Sequence, residues 1–138
     1  MINFKKSIPS LPVVSIKKAV HFYETKMGFH ARHQEDYFAI LVRDAIEIHL
    51  WASCDISWKF RSIALFLKPI WSGAETFLAG TASCRIEVEG IDELYREFSS
   101  QQVLHKEHPE VTDQPWGHRD FNTIDLYGNM LTFFQEIS

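Results

Sequence analysis

Apolar side chains recur at helical spacing near the start of the chain. They are Ile16, Ala19, Val20, Tyr23 and Met27. This spacing places them on one face of a helix with about 3.6 residues per turn. Ser15 stands where an N-cap residue belongs, and Gly28 stands where a glycine commonly ends a helix. The pattern therefore predicts an amphipathic helix over residues 16–27.

Short runs typical of β-strands flank this helix. Residues 11–14 precede it and residues 29–34 follow it. The stretch YFAILVRDAIEIHLW then reads as two strands that are hinged at Arg43 and Asp44. The predicted order of the first half is strand, helix, strand, strand, strand.

The second half repeats this order. Residues 84–88 alternate like a strand, and a helical stripe with two acids in its first turn follows Gly90. A weak strand is predicted near Val103 and Leu104, and two more strands are joined at residues 127–129. The stripe and its acids are Ile91, Leu94, Tyr95 and Phe98 with Asp92 and Glu93.

Repeated element order predicts an α+β fold of two βαβββ modules. We place the modules at about residues 8–52 and 83–137 of a single domain covering residues 1–138, joined by a longer connection over residues 53–82. Their strands are expected to form a curved mixed sheet around a groove. Aromatic residues in the connection either complete the core or wall the groove; they are Trp58, Phe60, Phe66, Trp71 and Phe77.

Alternation in the segment AIEIHLW separates two faces of one strand. Ile46, Ile48 and Leu50 point one way, toward a helix. Glu47, His49 and Trp51 point the other way, toward the groove. A solvated sheet face with incidental polar residues would give the same spacing, so both interpretations stay open.

Composition narrows the possible classes of function. With 138 residues, 46% hydrophobic and 23% charged, the chain suits one well-buried domain. A net charge of -4 argues against nucleic acid as the main partner. No apolar run reaches the roughly 18 residues of a membrane span, and no signal peptide is evident, so we expect a cytoplasmic protein. Cys54 and Cys84 lack metal-type spacing and are expected to be free thiols.

One tryptophan stands apart from every periodic apolar run. Trp116 lies within DQPWGHRDF, among turn-forming and charged residues. Such a ring either folds back onto the core or is held out for a flat ligand. Pro115 fixes the backbone φ before it and Gly117 permits a tight turn after it, and His118 follows at the start of the next strand.

Four stretches carry a resemblance to a known family: SIPSLPVVSIKKAVHFYETKMGF, EDYFAILVRDAIEIHLWA, GIDELYREFS and QPWGHRDFNTIDLYGNMLTFF. The chain resembles the bleomycin-resistance proteins of the glyoxalase/bleomycin-resistance/dioxygenase superfamily, also called the vicinal oxygen chelate superfamily. The most specific parts are the Gln-Pro-Trp-Gly loop with its Arg-x-Phe and the run from Glu35 to Ala39. The resemblance covers nearly the whole chain except residues 53–82.

The resemblance implies a homodimer that sequesters a bleomycin-class drug, copper-loaded or metal-free, without catalysis and without a cofactor. The flat tail of the drug would stack between Trp116 and Phe38 of different subunits. Gly117, His118 and the groove-facing Glu47, His49 and Trp51 complete the expected ligand-binding residues. Acids around this groove would attract a cationic tail; they are Glu35, Asp36, Glu47 and Asp120. The implied exchange of the first strand between subunits would hinge at Pro9.

An enzyme of the same superfamily, such as a glyoxalase I, an extradiol dioxygenase or a thiol transferase, is the alternative. Such enzymes need metal ligands on the first and last strands of each module. This chain has Ile8, Cys84 and Thr132 at three of those positions. The expected metal set is therefore missing, and neither His105 nor His108 has a third ligand at suitable spacing. Trp51 places a bulky ring at a groove-facing position, and the long connection could change the shape of the groove. The ligand could therefore be a molecule other than bleomycin.

Overall fold

A computed structural model describes residues 1–53 and 78–137, and within them the predicted βαβββ order appears twice. The first module contains β1 (Ser10–Val13), α1 (Ile16–Lys26), β2 (His30–Gln34), β3 (Phe38–Arg43) and β4 (Ile46–Ala52). The second contains β5 (Ser83–Glu87), α2 (Ile91–Ser100), β6 (Thr112–Asp113), β7 (His118–Ile124) and β8 (Met130–Glu136). The aromatic residues of the connection that were noted above lie outside the described residues.

Both modules have the same sheet topology. The strand orders are β1-β4-β3-β2 and β5-β8-β7-β6, and each is a mixed four-stranded sheet. The first strand of each module runs parallel to the last, while the other pairings are antiparallel. The predicted fold class is therefore confirmed. In the described part of the chain the strands form two separate sheets and not one continuous sheet.

The ends of α1 follow the sequence prediction. The hydroxyl of Ser15 accepts a hydrogen bond from the backbone N–H of Lys18 at 3.2 Å, which is the N-cap interaction. Gly28 has φ of +72° directly after the last turn, a conformation that favours glycine. A Cβ there would lie 2.7 Å from Nη1 of Arg43. Neither described helix is long and apolar enough to cross a membrane.

One strand prediction is wrong. Leu104 makes a single bridge to Thr123 and Val103 makes none, so residues 103–104 do not form a strand. The fourth strand of the second sheet is β6, which pairs with β7 through Asp120 and Arg119. The first hinge also lies slightly later than predicted, because Arg43 belongs to β3 and the turn begins at Asp44, with φ of +52°.

One hydrophobic core joins the helix-facing sides of both sheets. Ile48 and Leu50 of the first sheet are fully buried, as are Phe121 of the second sheet and Phe98 of α2. Phe98 packs edge-on against Phe121 and Phe133, with ring centroids 6.3 Å and 5.3 Å away. The side chains that alternate with these core residues lie on the face of each sheet opposite its helix, which we call its open face.

A buried carboxylate connects the two modules. Asp125, in the turn before β8, accepts from the Tyr23 hydroxyl of α1 at 2.8 Å and from the Asn129 amide at 3.0 Å. Its other oxygen accepts from the backbone N–H groups of Tyr127 and Asn129, both at 2.9 Å. The Asn129 amide also donates to the carbonyl of Pro12 in β1 at 2.9 Å. Burial raises the pKa of Asp125 above its usual value, although these donors oppose the shift.

Candidate ligand-binding faces

The open face of the first sheet carries the side chains that the alternation predicted. Phe38 lies opposite Trp51 in the β3–β4 register, and Glu47 and His49 follow along β4 on the same side. Glu47, His49 and Trp51 are each partly exposed, whereas Ile48 between them is fully buried. The strand period therefore brings four of the predicted site residues together on one surface.

Phe38, His49 and Glu47 contact one another in series. The rings of Phe38 and His49 meet edge to face, with centroids 5.0 Å apart and an angle of 79° between planes. Nε2 of His49 lies 2.7 Å from Oε2 of Glu47. Because an ionised carboxylate only accepts, the proton in this contact belongs to the histidine. The imidazole is thereby held between an aromatic ring and a carboxylate.

Cations of the same chain neutralise Glu47. Nζ of Lys6 and Nη2 of Arg32 both lie 3.2 Å from Oε1. The pKa of Glu47 is lowered, first by the hydrogen bond with His49 and then by the hydrogen bond from Lys6. The carboxylate is therefore ionised at neutral pH, but it does not provide the unopposed negative charge that the sequence suggested.

The Trp-Gly turn holds Trp116 out from the second module. The tryptophan is 60% exposed, and in the described part of the chain its ring stacks on no other aromatic side chain. Gly117 has φ of +86° with open space around its Cβ position, so the backbone conformation, and not crowding, favours glycine there. Its N–H donates to the carbonyl of Gln114 at 3.1 Å, and the N–H of Gln114 donates to the carbonyl of His118 at 2.7 Å. These bonds fix the turn at the start of β7.

The open face of the second sheet is built around His118 and Phe134. Their rings stack with centroids 4.4 Å apart and 15° between planes. The guanidinium carbon of Arg85 lies 5.0 Å from the Phe134 centroid, and its Nη2 is 3.4 Å from both His118 Nδ1 and Asp120 Oδ2. The second oxygen of Asp120 accepts from the Gln114 amide at 3.2 Å.

Arg85 is a candidate site residue that the sequence reasoning missed. It alternates with Cys84 and Ile86 in β5, and this parity places it on the open face. The alternation of apolar and polar residues in β5 is the same signal that identified Glu47 in β4. Asp120 is 5% exposed and pairs with Arg85, so this second carboxylate, like Glu47, is neutralised from within the chain.

A cavity of about 510 Å³ is lined by residues of both sheets and of the N-terminal arm, which we define as residues 1–9. Arm residues 6–9 form one wall, Arg32 and Glu47 contribute from the first sheet, and Arg85 contributes from the second. The predicted aromatic partners Phe38 and Trp116 do not contact each other in the described part of a single chain.

The described residues, 1–53 and 78–137, do not carry a set of side chains suited to a metal ion. Within these ranges no group of three His, Cys, Asp or Glu side chains is placed to hold a metal ion. Burial raises the pKa of Cys84 to about 11, so its thiol is protonated at neutral pH. The Thr132 hydroxyl donates to Asn122 at 2.7 Å. Nδ1 of His105 accepts the backbone N–H groups of Glu107 and His108, both at 3.1 Å.

Paired βαβββ modules with aromatic and charged side chains on their open faces define the structural class of this protein. Residues 8–133 match the Glyoxalase/Bleomycin resistance protein/Dioxygenase superfamily. The chain belongs to this superfamily, as the sequence motifs indicated.

Similar proteins indicate which branch of this superfamily the chain resembles. Bleomycin resistance proteins from Geobacillus stearothermophilus and Staphylococcus aureus are each 49% identical over 132 residues, covering 96% of this chain and 97% of theirs. The bleomycin-binding protein of Streptomyces verticillus in complex with copper(II)-bleomycin has a similar fold, with a TM-score of 0.70 at 23% identity and coverage of 96% and 97%. A bleomycin-binding protein complexed with bleomycin gives a TM-score of 0.71 at 20% identity, covering 96% and 99%.

Proposed function

We propose that this protein binds a bleomycin-class drug, copper-loaded or metal-free, and sequesters it without making or breaking a bond. The observation that carries the proposal is the exposed ring of Trp116, held out by a turn that is fixed through Gly117 and leads into His118, whose ring stacks on Phe134. Relatives at 49% identity that are bleomycin resistance proteins support this ligand class. An exposed flat ring suits stacking of a flat ligand, worth about 0.5–1.5 kcal/mol beyond area burial.

The proposed binding groove is shared by two copies of the chain. The helix-facing sides of both modules are buried in one core, which leaves the open faces of the described strands as the candidate ligand surfaces. Trp116 of one subunit would face Phe38 of the other, and the drug would lie between the two rings. Gly117 and His118 flank the tryptophan, while Glu47, His49 and Trp51 extend the surface beside Phe38.

The N-terminal arm supports this dimer. Met1, Ile2 and Phe4 are 122%, 88% and 94% exposed, and no strand includes residues 1–9. Apolar side chains exposed in this number favour association with a second surface. Because β1 pairs with β4 of its own chain, the exchanged part that we propose is residues 1–8, with Pro9 as the hinge. Cytoplasmic action belongs to the same proposal and suits the free thiol of Cys84.

Calorimetric titration with metal-free and copper-loaded bleomycin tests the proposed ligand. We expect about one site per subunit for each form, accompanied by a change in tryptophan fluorescence. Heat-denatured protein serves as the control for non-specific drug binding. No heat and no fluorescence change at high drug concentration would rule out bleomycin as the ligand.

Sedimentation of the full chain and of a variant lacking residues 1–8 tests the exchange. We expect a dimer for the full chain and a shift toward monomer for the shortened chain, because the arm would contribute apolar contact area to the partner. Lys5→Ala is the matched control, since it changes the arm but keeps its apolar side chains. A monomeric full chain would refute the dimer, and an unweakened dimer without the arm would refute the exchange.

A further inference from the structure

Arg85 is a half-exposed cation on the open face of the second sheet. Its side chain is 46% exposed, and its guanidinium lies over Phe134. Among the described residues, its hydrogen bonds are made by Nη2 alone, at 3.4 Å to His118 and to Asp120. A guanidinium has five N–H donors and no acceptor, so most of its donors are unused by the described residues.

The neighbouring histidine also presents a donor. Arg85 can only donate, so Nδ1 of His118 accepts in this contact and the neutral ring carries its proton on Nε2. Stacking on Phe134 fixes the plane of the ring. Arg85 and His118 therefore offer N–H groups side by side, next to an aromatic surface.

The nearby carboxylates do not cancel the hydrogen-bond-donating character of Arg85 and His118. Both oxygens of Asp120 already accept hydrogen bonds, from Gln114 and from Arg85. Glu47, across the shared cavity, is paired with Lys6 and Arg32. The cavity is lined by three cationic side chains against two carboxylates, the second being Asp44. This environment favours an oxygen acceptor and disfavours a cationic group.

We propose that Arg85 is a specificity-determining residue that donates to an anionic or carbonyl oxygen of a ligand whose flat ring stacks on the aromatic side chains beside it. The inference rests on the proposed function and deepens it. It assigns the acceptor-bearing part of the drug to the second sheet and directs a cationic tail away from it. Arg85 supplies a planar donor fork that lysine cannot reproduce.

Measuring bleomycin affinity in Arg85 variants tests whether Arg85 strengthens or weakens drug binding. We expect Arg85→Met to weaken bleomycin binding about tenfold or more, which is the loss typical of a charge-assisted hydrogen bond. Arg85→Lys should recover part of the loss, because it keeps the charge without the fork. Arg96→Met, on the exposed side of α2, is the matched control and should bind like the wild type. If Arg85 instead repels a cationic drug, Arg85→Met will bind more tightly, and the inference is overturned.

Removing Arg85 leaves the buried Asp120 without its cation, and an unpaired buried carboxylate destabilises the fold. The double variant Arg85→Met with Asp120→Asn avoids an unpaired carboxylate. It is expected to melt near the wild-type temperature and still lose about tenfold in affinity. Wild-type affinity in this folded double variant would overturn the inference while leaving the proposed function intact.

A pair of small probes tests the inference separately from the drug. 2-Naphthoate and 2-naphthylmethylammonium share one flat ring system and carry opposite charges. Ligand-observed NMR should show tighter binding of 2-naphthoate to the wild type, and this preference should vanish in Arg85→Met. The preference without bleomycin binding would refute the proposed drug and uphold the role of Arg85. No preference, or a preference for the ammonium probe, would overturn that role whatever the drug does.

Discussion

Replacing Trp116 with alanine is expected to weaken binding of a bleomycin-class drug by about thirtyfold or more. Truncating a buried aromatic anchor to alanine commonly weakens the free energy of binding by about 2 kcal/mol or more. This loss corresponds to roughly a thirtyfold lower affinity. The ring is 60% exposed in the single chain, so it is available to become such an anchor when a flat ligand covers it. Titration calorimetry of both proteins measures the effect.

Because Trp116 is exposed, the Trp116→Ala variant is also expected to keep its fold. The melting temperature of Trp116→Ala should stay near that of the wild type, because surface substitutions usually change stability by less than about 0.5 kcal/mol. Trp116→Phe is the matched control and should keep much of the affinity, since it retains a flat ring. Unchanged drug binding in the alanine variant would mean that Trp116 is not part of the site.

Replacing Asp125 with alanine is expected to lower the free energy of unfolding by about 3 kcal/mol or more. The substitution leaves the Tyr23 hydroxyl, the Asn129 amide and two backbone N–H groups without their acceptor. Buried donors without partners cost about 1–3 kcal/mol each, and some relaxation reduces the sum. Chemical denaturation measures the change. Asp36→Ala, at an exposed position, is the control and should differ from the wild type by less than about 0.5 kcal/mol.

The contribution of Asp125 to the free energy of unfolding should change with pH in a predictable direction. Burial raises the pKa of folded Asp125, so the folded state binds the proton more readily than the unfolded state does. The contribution of this group to stability is then largest below its unfolded pKa and is lost as the pH rises through the folded pKa. Relative to Asp125→Asn, the wild type should therefore gain stability as the pH falls from neutral toward that range. A constant difference would contradict the shifted pKa.

Local signals in the sequence predicted most of the fold. Ser15 and Gly28 marked the ends of α1 because capping depends on residues adjacent in the chain. β6 was missed because Thr112 and Asp113 are both exposed and too few to show alternation. That strand exists through its pairing with β7, which no local pattern encodes. Val103 and Leu104 suggested a strand because both are apolar, but Val103 is buried and Leu104 makes only one isolated bridge, to Thr123.

The candidate site was predicted less completely, for a related reason. Strand parity was enough to place Glu47 and His49 on an open face. The expected acidic field was wrong for Glu47 and Asp120, because their cations approach from distant parts of the chain. Lys6 stands 41 residues from Glu47, and Arg85 stands 35 residues from Asp120. Charge along a sequence predicts a surface field only when such pairings are known.

The most direct test of an interfacial drug site is a heterodimer with Phe38→Ala in one subunit and Trp116→Ala in the other, purified through two different tags. If the rings of different subunits form each groove, both substitutions fall in one groove and the other groove remains intact. The prediction is one site of wild-type affinity per heterodimer, while both single-substitution homodimers have none. Two weakened sites and no site of wild-type affinity in the heterodimer would contradict the account.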